Sequence, residues 1–146
     1  MPDVPLVPSL WRFPAHPASV PRARRTVAEA LPRGLRARLG ADMALLASEL
    51  VTNAIRYGAR DPEDDLVEVV LWPADGHYWL AVSDPGTGGA DGTLKPGCPG
   101  VDAESGRGLL LVDSLAAAWA VVRRPVRGTS VVAGIPLRAG RGPATA

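Results

Sequence analysis

The sequence predicts an α/β (α+β) two-layer sandwich, in which a mixed, mainly antiparallel sheet carries helices on one face. Three observations lead there. A long helical period runs up to Tyr57. Two β-forming arms, Leu66 to Trp72 and His77 to Asp84, flank a turn at Ala74-Asp75-Gly76. A closing strand sets Thr129, Val131, Ala133, Ile135 and Leu137 on one side. At 146 residues, 47% of them hydrophobic, the chain has the size and apolar content of one domain with a single core. That domain is expected over residues 9–137, between flexible tails at 1–8 and 138–146.

Taken in order, three prolines mark the first tail, and Ser9-Leu10-Trp11-Arg12-Phe13 alternates as a short strand that Pro14 and Pro17 end. From Ala18 to about Leu31 the period becomes helical, with Val20, Val27 and Leu31 on one side and arginines on the other. Ser19 is the expected N-cap, Pro21 suits the first turn, and Pro32 with Gly34 should stop the helix. The long helix is then predicted from about Leu35 or Ala41 to Tyr57, with Gly58 as its C-terminal cap. Met43, Leu46, Leu50 and Ala54 form its apolar stripe. Helical residues advance about 100° each, so Glu49, Asn53 and Arg56 fall on one neighbouring flank. Taken alone, that triplet reads as a solvated polar face.

Asp61-Pro62-Glu63-Asp64-Asp65 is an acidic turn before the hairpin. On the second arm Tyr78, Leu80, Val82 and Asp84 share a face, so a carboxylate ends the row that packs toward the core, a costly place for an unpaired charge. Residues 85–108 contain eight glycines and three prolines and show almost no periodicity, which is the pattern of a functional lid or a disordered insert. Beyond them Gly106-Arg107-Gly108-Leu109 opens an apolar helix, whose N-terminal amides and dipole favour a phosphate. Trp119 to Arg124 and Thr129 to Leu137 are the last two strands.

Composition excludes several classes. Lys and Arg total 16 against 15 Asp and Glu, so no overall field recruits nucleic acid or an anionic membrane. The arginine run from Arg22 to Arg38 is interrupted by Glu29, has no interleaved aromatics, and reads as a solvated helix face. A single cysteine, Cys98, rules out an internal disulfide or a cysteine-cluster metal site. There is no apolar run near 18 residues and no basic leader, so a cytoplasmic protein is expected. His16 and His77 fit no ligand spacing and are expected at the surface or in turns. No phosphate-loop motif is present, Lys95 being the only lysine, and no helix directly follows the glycines after Asp84 as a dinucleotide fingerprint requires.

Three signals remain, in a fixed order: Glu49-x-x-x-Asn53 on a helix, Asp84-Pro85-Gly86-Thr87-Gly88 leaving a strand, and Ser105-Gly106-Arg107-Gly108-Leu109 entering a helix after a glycine-rich loop. This order resembles the Bergerat-type ATPase fold of gyrase, the large heat-shock chaperones and sensor histidine kinases. Length and the strand-helix start make it most similar to the bacterial anti-sigma-factor serine kinases and their small single-domain relatives.

The resemblance implies ATP and Mg²⁺ held between the long helix and a lid of about residues 86–105. Asn53 would be a metal ligand through its side-chain carbonyl, and Glu49 the base that accepts a proton from the attacking hydroxyl. Asp84 would read the adenine amine, unless it only forms an Asp-Pro-Gly turn. Gly86 and Gly88 would let the backbone pass close to the base. Ser105, Gly106, Arg107, Gly108 and Leu109 would face the phosphates, and Thr129 would help hold adenine. Arg56 would meet phosphate or an acidic neighbour. Gly89 stands where relatives commonly carry an apolar residue.

The implied function is transfer of the γ-phosphate to a serine of a small antagonist protein, with a sigma factor as the other partner. A nucleotide-gated binding module without phosphotransfer is the alternative. Dimerisation through the first strand and helix is implied as well, although Trp11 and Phe13 suit a core equally.

Overall fold

The computed structural model describes residues 8–61, 64–86, 118–123 and 128–137. They form strand β1 (Ser9–Pro14), helices α1 (Ser19–Ala30) and α2 (Arg33–Gly58), and strands β2 (Leu66–Ala74), β3 (His77–Ser83), β4 (Ala118–Arg123) and β5 (Thr129–Pro136). The sheet runs β1-β2-β3-β5-β4, and all four pairings are antiparallel. Both helices cover one face, giving the α+β sandwich that the pattern predicts. The last strand in sequence thus enters the sheet between β3 and β4, which puts Thr129 beside the end of β3.

Period-2 alternation decides which side chains enter the core. Val67, Val69 and Leu71 of β2, Tyr78, Leu80 and Val82 of β3, and Ala133 and Ile135 of β5 are buried on the helix side. Against them lies the predicted stripe of α2, Met43, Leu46, Leu50 and Ala54, all buried. Ala23, Val27 and Leu31 bring α1 into the same core, with Phe13 buried and Trp11 half-buried from β1. The opposite sheet face exposes Leu10, Leu66 and Val122 and carries the Arg12–Glu68 ion pair at 3.1 Å. Trp79 lies flat there over Gly134, where a Cβ would sit 2.6 Å from the indole. Trp72 and His77 stack on Trp79, with centroids 6.5 and 5.2 Å away.

Four boundary expectations are corrected. Ser19 is the first helical residue rather than the N-cap, and Ala18 caps without a side-chain bond. The Ser19 hydroxyl donates instead to the Pro14 carbonyl at 2.7 Å, tying α1 to β1. The break between helices is made by Leu31-Pro32 alone, since a residue before proline is pushed to extended geometry, here ψ 144°. Gly34 falls inside α2, which starts earlier than predicted, at Arg33. Arg36, assigned to a solvated face, turns back to donate to the Glu29 and Leu31 carbonyls at 2.8 and 3.2 Å, satisfying the end of α1.

The fourth correction is Gly58. It is the last helical residue, and an extended Ala59 follows it. Its φ is not among the positive values, which are found at Asp75, Gly76, Gly86 and Gly128. Asp75 and Gly76, at φ 53° and 73°, supply the paired left-handed residues that a two-residue hairpin turn requires. No helix among the described residues is long and apolar enough to cross a membrane.

Candidate functional site

The polar flank of α2 is where the predicted residues begin to meet. Glu49 and Asn53 are half-buried, and neither makes a hydrogen bond or ion pair among the described residues. Arg56 is exposed, with its guanidinium 5.3 Å from the Tyr57 ring centroid. Helical rise puts Asn53 about 7.5 Å, and Glu49 about 13.5 Å, from Gly58 along the axis. At Gly58 the helix ends against the Asp84 side chain. The strand-end carboxylate therefore meets the C-terminal end of the helix that carries Glu49 and Asn53.

Asp84 is tied down from two elements. Its Oδ1 accepts from the Gly86 amide at 2.9 Å and from the Thr129 amide at 3.2 Å. Its own amide donates to the Thr129 carbonyl at 2.9 Å, continuing the β3–β5 ladder one step beyond Ser83 and Ser130. The first of these bonds is the Asp-Pro-Gly turn, closed by Gly86 at φ 84°. The second is not local in sequence, and a plain turn would not need it. Thr129 reaches Asp84 through its backbone amide. Gly88, Ser105, Gly106, Arg107, Gly108 and Leu109, with most of the predicted lid, lie outside the described residues.

The acids after α2 serve the turn. Asp65 Oδ2 accepts from the Arg60 and Asp61 amides at 2.8 and 2.9 Å, and Asp61 Oδ1 accepts from the Asp64 amide at 3.3 Å. The neighbouring charge of Asp61, and a hydrogen bond to it, push the Asp64 carboxyl above its ordinary value. Among the described residues no three His, Cys, Asp or Glu side chains gather to hold a metal. His16 lies in the bend between β1 and α1, where its Nδ1 accepts from the Ala18 amide at 3.0 Å, and His77 opens β3 with its Nδ1 2.8 Å from the Asp75 carbonyl.

Two half-buried polar side chains without partners among the described residues thus line a helix whose end meets an anchored carboxylate. A family model, the histidine kinase-like ATPase domain, matches residues 13–135. The chain belongs to that family. No curated protein matches it.

A histidine kinase-like ATPase domain binds ATP, usually with Mg²⁺, and the described donor set fits that pair. Magnesium takes hard oxygen ligands and retains several waters, so one amide oxygen beside a triphosphate is an adequate protein share. Asn53 offers such an oxygen with no competing bond among the described residues. Sequence reasoning missed what Gly58 does and the amide bond of Thr129, because both depend on residues distant in sequence meeting in space.

Proposed function

We propose that this chain is an ATP-binding regulatory protein of the anti-sigma-factor type, which moves the γ-phosphate of ATP to a serine of a small antagonist protein and in another complex sequesters a sigma factor. The observation that carries the reading is Glu49: a half-buried carboxylate one turn before Asn53, tied to nothing among the described residues. A general base must be free of a competing cation, and its proton acceptor must stand near the phosphates. In this reading Glu49 accepts the serine proton while the serine oxygen forms the new bond to phosphorus. The bridging bond to the β-phosphate breaks, and ADP leaves. Asp84 holds the base, and Asn53 ligates Mg²⁺, which would neutralise charge on the triphosphate. By the family motif, Ser105 to Leu109 are assigned to the phosphates and residues 86–105 to the lid, with Gly86 and Gly88 beside the base, and the chain is expected to pair as a homodimer through β1 and α1.

The experiment is incubation with labelled ATP and candidate antagonist proteins. Glu49→Ala should lower transfer by about 10²- to 10⁴-fold and change ATP affinity by less than about threefold. Asn53→Ala should remove the Mg²⁺ dependence of nucleotide binding, read by titration with and without the metal. Wild-type protein that binds ATP yet phosphorylates no partner would sink the kinase reading in favour of a nucleotide-gated binding module.

A further inference from the structure

We infer that Gly58 is a positioning residue for nucleotide-base recognition: the last residue of α2 must lack a side chain so that the Asp84 carboxylate can lie against the helix end in one orientation. This rests on the reading of Asp84 as the group that meets the base.

Conformation does not explain a glycine here. Gly58 is helical, outside the left-handed region, and alanine is the better helix former. Space does explain it. A Cβ on Gly58 would collide with the Cβ, the Cγ and Oδ2 of Asp84. On another side Gly128, at φ 92°, approaches the Asp84 backbone so closely that a Cβ would run into the Asp84 carbonyl oxygen and stand 3.2 Å from the Pro85 carbonyl carbon. With Oδ1 held by the Gly86 and Thr129 amides, the side chain is bounded by three elements: the end of α2, the Asp-Pro-Gly turn and the start of β5. Hydrogen bonds weaken steeply outside a narrow range of distance and angle, so a methyl group at position 58 that turns the carboxylate aside removes its use as an acceptor. Gly58 thereby couples the helix bearing Glu49 and Asn53 to the selectivity of the base pocket.

The test is a double-mutant cycle on the full chain with Gly58→Ala, Asp84→Gly and the pair, read in two ways. The first reading is thermal unfolding. Gly58→Ala should lower Tm in the wild-type background and leave it unchanged or raise it in the Asp84→Gly background, where the obstructing side chain is gone. If Gly58→Ala alone fails to fold and the double variant folds, that is the extreme of the same coupling and supports the contact.

The second reading is affinity for ATP against purine riboside triphosphate, which lacks the exocyclic amine. Wild type should prefer ATP by about tenfold or more, and Gly58→Ala should lose most of that preference by weakening ATP alone, which a general loss of structure would not do. Equal Tm losses in both backgrounds, or a preference for ATP that survives Gly58→Ala, would overturn the inference. Wild type that binds both nucleotides equally would overturn the assignment of Asp84 to the base, and that failure is distinguishable because the Tm cycle does not depend on nucleotide.

Discussion

The two ends of β3 use glycine for opposite reasons. At the start, Gly76 has a left-handed φ of 73° and nothing within 4 Å of where a Cβ would be, so glycine is there for the turn alone. At the far end, Gly58 has ordinary helical geometry and no room, and Gly128 combines a φ of 92° with direct approach to the Asp84 backbone. The hairpin end is an economical way to reverse a chain. The Asp84 end gathers a helix terminus, a turn and a strand start around one carboxylate. Such crowding gains little as packing alone, and it accounts for itself if that carboxylate must point in a fixed direction.

The contrast can be broken by substitution at each end. Gly128→Ala should have the largest effect, about 3 kcal/mol by denaturant unfolding, because left-handed strain and steric overlap with the Asp84 carbonyl add. A loss below about 1 kcal/mol would mean that the two backbones can separate without cost. Gly134→Ala comes next at about 2 kcal/mol, since the Trp79 indole must leave the sheet, and near-ultraviolet circular dichroism of the tryptophans should change with it. Gly76→Ala should cost only about 1 kcal/mol, the conformational penalty alone, and Gly76→Asn less, because asparagine tolerates the left-handed region.

The smallest effect is confined to alkaline solution. Burial raises the Tyr78 hydroxyl above its ordinary value of 10.0. A group whose folded pKa is raised binds its proton more tightly in the native state. Its contribution is therefore fully present below about pH 10 and is lost as pH rises through the folded value. Tyr78→Phe should flatten that alkaline slope and leave the neutral-pH behaviour of the Asp84 end unchanged, whereas an unaltered slope would assign the titration elsewhere.

How much was legible varies by residue. Tyr78, Leu80 and Val82 could be assigned to the core because strand alternation is local and strict. The α2 stripe and the flank of Glu49, Asn53 and Arg56 followed from the helical period in the same way. Helix ends were less legible. Pro32 was correctly read as a break, yet Gly34 beside it is helical, because a glycine weakens a helix without forbidding it. Arg36 was indistinguishable from its solvated neighbours, since its role depends on carbonyls that α1 exposes only once the two helices pack. For the site, Asp84 announced itself as a charge ending an apolar row, while its bond to Thr129, 45 residues away, could not be seen in sequence.

By itself, then, the sequence determined the elements, the core faces, the hairpin turn and the chemical kinds of residue at the site, because each depends on neighbours within a few positions. Only the tertiary structure decided that β5 enters the sheet beside β3, that Thr129 therefore bonds to Asp84, and that Gly58 gives up its side chain to the same carboxylate. Those outcomes depend on which segments meet after the chain has closed long loops around the core. Local periodicity carries no record of that choice.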